Sequence, residues 1–332
     1  MEIRLLRKSE YSILRNFIDS TWKKGHALVK SRDLFNYQHL NDRGCTYYTA
    51  FDNDEIVGVI GFIPTSQFDE SLIKYQDCWG AIWKVKDHSG NNGVGLDLLE
   101  ILLERNAVQS FGAIGISAIA KKIYRLCGMK VGFLNHYYIV NRELKVFCIG
   151  KNLKIDIRPH VKNADWYIRR IMDLKAVKSP DPYYRPYKSL TYIFSKYENH
   201  PIYKYIFWGI YHNEHLVSIW VVRRIVVYQS SIFRIVDVLG SLLPIPDVFE
   251  QIQQILHDES CEYVDFMNYG IDENVFKSMG FCKLDLEQDE IVISNYFEPF
   301  EQRNVKIELA YKADFDYIVF KGDSDQDRPN IL

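Results

Sequence analysis

WKVKDHSGNNGVGL, residues 83–96, is the stretch whose reading decides the fold. A β-rich run over 77–86 (DCWGAIWKVK) ends in a polar, glycine-rich loop over 87–95, and that loop opens an apolar helix over 94–105. Gly93 and Gly95 carry no Cβ, so the backbone there can approach a ligand closely. The N–H groups of a helix's first turn have no partner within the helix and lie at its positive end, an arrangement that suits a pyrophosphate. No Gly-Lys-Ser/Thr follows, which excludes a P-loop. A dinucleotide-binding unit would need a different strand order and an acidic residue on the next strand.

Upstream, residues 2–6 read as a strand. Ser9 starts a helix with Tyr11, Leu14, Phe17 and Ile18 at helical spacing, and a second helical stretch lies near 31–40. The runs 47–51 and 56–62, joined by Asn53 and Asp54, form a hairpin. Downstream, 113–117 is a short buried strand and 118–127 a helix closed by Gly128. Residues 131–140 then read as one strand, with 146–149 able to pair with it. The order β-α-α-β-β-β-α-β-α-β-β places an antiparallel front half and a parallel back half in one mixed sheet.

The first domain thus spans 1–148, and the proline-containing stretch 149–185, with a helical patch in the 160s, reads as a connector. A second domain, 186–332, shows another hairpin (203–211 and 216–227 about Asn213 and Glu214). It continues with a strand over 231–239, a helix over 245–257, a strand over 263–268, a short helix over 273–279 and a return to strand from Cys282. YRLCGM at 124–129 is echoed by FKSMGF at 276–281, which identifies a diverged tandem repeat of one α/β fold.

The 83–96 stretch resembles the acetyl-CoA motif of the GNAT (GCN5-related N-acetyltransferase) superfamily, Val-x-Pro-x-x-Arg/Gln-x-x-Gly-x-Gly/Ala. Val85, Gly93 and Gly95 fall on its spacing, while Asp87 stands where proline is usual and Gly90 where arginine or glutamine is usual. The change at Gly90 removes a side chain and leaves the backbone cradle. The positions of a later family pattern, Asn-x-x-Ala-x-x-x-Tyr-x-x-x-Gly-Phe, are occupied by Ser117, Ala120, Tyr124, Gly128 and Met129, with Ser117 keeping hydrogen-bonding ability in place of asparagine and Met129 standing for phenylalanine. The resemblance covers residues 1 to about 147. It implies two tandem GNAT-like domains, each a mixed, mostly antiparallel sheet flanked by helices.

The resemblance also implies acetyl-CoA, or another acyl-CoA, as co-substrate, held by Trp83, Lys84, Val85, Gly90, Asn91, Asn92, Gly93, Val94, Gly95 and Ser117. A strand amide near residues 83–85 would polarise the acyl carbonyl. Tyr124 matches the tyrosine that protonates the leaving thiolate in many relatives; the plain alternative is a helix tyrosine half buried against the sheet. Candidates for the base are Asp77, His88 and His136. His136, on the strand after the Tyr124 helix, is the one placed in the site, although a merely packed or solvated histidine fits the sequence as well.

The second domain has no Gly-x-Gly loop, and Phe276 replaces the tyrosine, so this copy is expected to shape an acceptor site or a dimer contact rather than turn over acyl-CoA. The tail over 317–330 ends in Asp323, Asp325 and Asp327 with Arg328. It lacks the full calcium-loop pattern. It reads as a solvated terminal turn, with a polar acceptor-binding loop reaching the first domain as the alternative.

The tail and the segment 199–205 look like those of two-domain GNAT-like proteins of bacterial surface-polysaccharide synthesis, which points to an amino sugar, free or nucleotide-linked, as acceptor. An aminoacyl or peptidyl transferase of the tandem type and a non-catalytic binding or scaffold protein remain as alternatives. The chain of 332 residues carries a net charge of −2, leaving no basic surplus for a nucleic-acid partner. Nothing resembles a signal peptide and no apolar run is long enough to span a membrane, so a cytoplasmic protein is expected, with a homodimer as one option. Six scattered cysteines form no CxxC pair, and no metal is expected.

Overall fold

The computed structural model describes residues 1–87, 90, 92–155, 165–243, 245, 248–288 and 290–329. In chain order the principal strands are β1 (Glu2–Leu5), β2 (Tyr47–Asp52), β3 (Glu55–Pro64), β4 (Asp77–Val85), β5 (Ser110–Ile114), β6 (Lys130–Phe133), β7 (Asn135–Val140), β8 (Trp166–Ile171), β9 (Tyr205–His212), β10 (His215–Val227), β11 (Ser230–Gly240), β12 (Tyr263–Tyr269), β13 (Cys282–Lys283) and β14 (Glu308–Lys312). The helices are α1 (Tyr11–Phe17), α2 (Ala27–Lys30), α3 (Arg32–His39), α4 (Val94–Arg105), α5 (Ala118–Leu126), α6 (Leu190–Ile193), α7 (Val248–Asp258) and α8 (Glu273–Ser278).

Both expected hairpins form. Asn53 and Asp54 (φ 46° and 65°) and Asn213 and Glu214 (φ 47° and 66°) take the left-handed conformation that a two-residue hairpin turn requires. Ser31 caps α3 by accepting the Leu34 N–H at 3.1 Å.

The first sheet runs β1-β2-β3-β4-β5-β14-β6 and the second β8-β9-β10-β11-β12-β7-β13, with Val319–Phe320 pairing β12 off this path. All neighbours are antiparallel except β4–β5 and β11–β12, which are parallel. The two orders are the same pattern written twice, as the repeat predicts. The repeated helix ends agree atom for atom. Gly128 (φ 74°) and Gly280 (φ 90°) close α5 and α8, and the Met129 and Phe281 N–H groups reach back to the Tyr124 and Phe276 carbonyls at 3.0 and 2.9 Å.

The expected partition is corrected in one respect. Residues 131–140 are not one strand: β6 stays in the first sheet, whereas β7 lies between β12 and β13 in the second. The place it would have filled, between β5 and β6, is taken by β14 from the far end of the chain. The two halves therefore exchange a strand, and boundaries at 148 and 186 do not separate the sheets. Nor do residues 146–149 form a strand. The N–H groups of Cys148, Ile149 and Gly150 converge instead on the buried carboxylate of Glu262, at 2.7 to 3.0 Å. The helical patch expected in the 160s is not found: residues 160–164 lie outside the described residues, and Trp166–Ile171 is strand β8, paired antiparallel with β9.

Helices α4 and α5 cover one face of the first sheet, packing Val94, Leu98, Leu102 and Tyr124 onto Tyr48, Ile60 and Phe111. Helices α1–α3 cover part of the other face through Leu14, Phe17, Leu34 and Phe35. The rest of that face, at Trp79, Ile114 and Leu309, packs against the second half through Ile219, Val236 and Tyr317. Burying side chains of this size contributes about 1.5–3 kcal/mol each, which makes the junction between the halves core rather than contact surface. Among the described residues no helix is long and apolar enough to cross a membrane.

Candidate functional site: a splayed strand pair

β4 and β5 pair in parallel only from Asp77↔Ser110 to Gly80↔Ala113. Beyond Gly80, β4 continues to Val85 with a partner on its β3 side alone, and a register slip opposite Ile60–Phe62 bends it there. The two strands thus form a V whose apex is at Gly80. A Cβ at Gly80 would stand 2.7 Å from the Phe111 ring, so close pairing at the apex needs glycine.

At the open end of the V, Gly93 (φ 88°) is the N-cap of α4, and a Cβ there would meet nothing within 4 Å. Its carbonyl takes the Leu96 and Asp97 N–H groups at 2.8 and 3.1 Å. The N–H groups of Val94 and Gly95, at the very start of this 12-residue helix, have no carbonyl of the helix to bond. Gly95 lies against the Trp83 indole, with a Cβ position 3.5 Å from Cζ2. Val85 packs with Trp83 at the edge of the same core, and Val94 is buried in it. Lys84 pairs with Asp87 at 3.2 Å. Gly90 and Asn92 belong to the loop that carries the chain into α4. Asn91 and His88 lie outside the described residues.

On the far side of the V, Ser117 caps α5 by accepting the Ala120 N–H at 3.2 Å, so its hydroxyl is engaged in holding the helix. Tyr124 is 3% exposed, its ring centroid 5.2 Å from Trp83 and 6.1 Å from Phe111. The tyrosine is fully rather than half buried. Burial raises its pKa well above the ordinary value, which keeps the hydroxyl protonated. The structure therefore packs Trp83, Val85, Val94 and Tyr124 into one apolar cluster, with Gly95 against Trp83 at its edge.

His136 is not brought to this cleft. It sits on β7 in the second sheet, 2% exposed, with Nε2 2.8 Å from Asp265, which in turn receives Arg234 Nε at 2.9 Å. Burial lowers the His136 pKa. Burial also pushes the Asp265 carboxyl up, but Arg234 and His136 more than reverse this and leave it below the ordinary range. The group is a buried ion cluster pinning β7 into its new sheet, and the expectation that His136 lies where an acceptor enters is corrected by the strand exchange. Asp77 is buried at the closed end of the V, accepting the Ser110 hydroxyl at 2.6 Å, and burial raises its pKa.

The tail is the part that sequence reasoning placed least well. Residues 319–325 are buried rather than a solvated turn. Asp323 pairs with Lys188 at 2.7 Å, and Lys188 also meets Asp237. Ser324 Oγ donates to the Gly80 carbonyl at 2.9 Å, and Gln326 lies on Gly115 at the end of β5. Between them Asp325, paired with Arg328 at 2.9 Å, is the carboxylate felt by His26, His39 and Tyr47.

His26 Nε2, His39 Nε2, Tyr47 OH and Thr49 Oγ1 are buried and have no hydrogen-bond partner among the described residues. His26 Nδ1 accepts the Leu28 N–H, which fixes its Nε2 as a donor. A sequence signal existed for the His136 cluster and the Lys188 pair: Arg234, Asp237 and Asp265 interrupt otherwise apolar strand runs.

Burial lowers the pKa of His26 to about 3, and of His39 and His200 to about 4. Between pH 6.5 and 4 the unfolded chain takes up these protons and the native protein does not, so stability falls as pH drops through that window. His39, fully enclosed, accounts on its own for a loss on the order of 2 kcal/mol at pH 5. Urea midpoints at pH 7 and pH 5 check this; equal midpoints would contradict it.

No family model matches the chain, and no curated protein matches it. Solved structures do. A GCN5-related N-acetyltransferase of Anabaena variabilis ATCC 29413 is similar with a TM-score of 0.56 at 9% identity, over 94% of this chain and 72% of that one. A protein of Enterococcus faecalis V583, described as a probable N-acyltransferase, gives 0.52 at 10% identity over 94% and 72%. A GCN5-related N-acetyltransferase of Kribbella flavida gives 0.50 at 9% identity over 94% and 70%. At these identities the likeness establishes the fold: two mixed sheets flanked by helices, as in GNAT proteins.

Proposed function

We propose that the chain is an acyl-CoA-dependent N-acyltransferase whose first half binds the cofactor and whose acceptor is a small-molecule amine. The observation that carries this reading is the V between β4 and β5, with the open glycine start of α4 at its mouth and Tyr124 on its flank. In this reading the pyrophosphate rests on the α4 amides, and the pantetheine arm runs down the unpaired edge of β4 as an added strand would.

The amine nitrogen attacks the thioester carbon, and the oxyanion that forms is met by a β4 edge amide. Collapse expels the thiolate, which takes a proton from the Tyr124 hydroxyl. The ammonium gives one proton to solvent before attack, and the second proton that the nitrogen sheds as the amide forms passes through water to the Tyr124 oxygen, restoring its hydroxyl. The unpartnered polar atoms of His26, His39 and Tyr47, each within the electrostatic reach of Asp325, support a hydroxyl-bearing acceptor on that side, such as an amino sugar, free or nucleotide-linked.

Titration with acetyl-CoA tests the reading first. At about 100-fold excess over Kd the native state gains about 2.7 kcal/mol, seen as a higher melting temperature, and free thiol then appears when glucosamine or another amine is added. No rise in melting temperature would sink the proposal, leaving a binding or scaffold role on an inactive fold.

A further inference from the structure

We propose that the C-terminal segment of the second half limits the length of the acyl group, with Ser324 and Gln326 closing the apex of the V so that an acetyl-sized group fits and a long chain does not. This inference rests on the acyl-CoA reading above and adds a specificity determinant to it.

The strand from Gly80 to Val85 spans about 17 Å, on the order of the reach of an extended phosphopantetheine arm. A pyrophosphate on α4 at the open end therefore puts the thioester at the apex. There the V is already filled from the other side. Ser324 Oγ bonds the Gly80 carbonyl at 2.9 Å, at the last rung of the β4–β5 ladder. The Gln326 carboxamide occupies the space over Gly115 (φ 71°), where a Cβ would stand 2.6 Å from its oxygen. Behind them the Tyr317 ring packs 5.6 Å from Trp79, and the two crowd Gly112, whose Cβ would lie 2.4 Å from the Tyr317 hydroxyl.

This wall is held firmly. Gly322 N–H reaches the Val236 carbonyl at 2.7 Å, Asp323 is paired with Lys188, and Lys321 Nζ donates to the Gln326 carbonyl. Methylenes extending past the thioester would have to displace these groups, and tightly packed surroundings resist added volume.

Equilibrium binding of free CoA, acetyl-CoA, butyryl-CoA and octanoyl-CoA to the full chain is the test. Acetyl-CoA is expected to bind as tightly as CoA, and octanoyl-CoA roughly tenfold or more weakly. Gln326→Ala is expected to narrow that gap, and Gln326→Asn to narrow it by less, the milder variant guarding against loss of folding in the first. Octanoyl-CoA binding wild type as tightly as acetyl-CoA would overturn the proposal, as would both folded variants keeping the wild-type ratio. If free CoA and every thioester fail to bind, the acyl-CoA reading itself falls and the chain-length proposal with it.

Discussion

Replacing Tyr124 with phenylalanine is expected to lower the rate of acyl transfer by roughly 10²–10⁴-fold, with the acetyl-CoA-induced rise in melting temperature unchanged. The ring is held among Trp83, Phe111 and the α4 leucines, so phenylalanine keeps the packing and only the oxygen is lost. The consequence is chemical: burial keeps the hydroxyl protonated across neutral pH, so it can donate to a thiolate and is not consumed as a base. In the variant the thiolate must leave unprotonated or wait for water. The expected signature is a fall in kcat with KM for acetyl-CoA preserved, the pattern of an interaction made only in the transition state. A variant with unchanged kcat from pH 6 to pH 9 would remove Tyr124 from the mechanism.

The chain carries a natural counterpart of this experiment. Phe276 stands at the equivalent position of the second half, under the same glycine cap, and stacks on Tyr137 at 4.0 Å. The second copy keeps the architecture and has no hydroxyl to give. Its sheet has instead been put to use on the first: β14 completes the first sheet, and the segment beyond it reaches the apex of the V.

What could be read from the sequence was local. Asn53-Asp54 and Asn213-Glu214 name their turns because left-handed backbone favours those residue types, and Gly128 and Gly280 name their helix ends for the same reason. The glycine turn into α4 and the helix carrying Tyr124 were legible as local structure because both depend on short spacings. The strand exchange was not. Residues 131–140 carry an unbroken β pattern, and only long-range pairing decides that the chain changes sheets at Leu134. His136 was misplaced by that same step. The tail misled for a different reason: three aspartates in a short stretch look solvated, and only the distant cations Lys188 and Arg223, together with Arg328 nearby, make their burial affordable.

Lys188→Met should then be the most destabilising of the substitutions considered, by about 3–5 kcal/mol, because it removes the cation from a buried pair of carboxylates. Lys188 is 5% exposed, and Asp237 and Asp323 are fully enclosed. Asp237 is also bonded by the Tyr197 hydroxyl at 2.6 Å, which cannot replace a positive charge. Methionine matches the volume of lysine, so the loss is electrostatic rather than a cavity.

Three results distinguish this from general damage. The urea midpoint should fall with the m-value unchanged. Asp323→Asn in the Lys188→Met background should recover part of the loss, since one of the two stranded charges is then gone. The gap between wild type and Lys188→Met should also narrow as pH is lowered from 7 toward 5. Burial raises the Asp323 pKa and Lys188 opposes that rise; without the lysine Asp323 holds its proton more tightly in the native state than in the unfolded chain, so acid favours the folded variant relative to wild type. A gap that stays constant with pH, or a double variant no more stable than the single, would show that the lysine packs against this cluster without neutralising it. In that case the anchoring of the tail at the V would have to come from its other contacts, among them Gly322 on Val236, Ser324 on Gly80 and the Asp325–Arg328 and Asp327–Arg223 pairs.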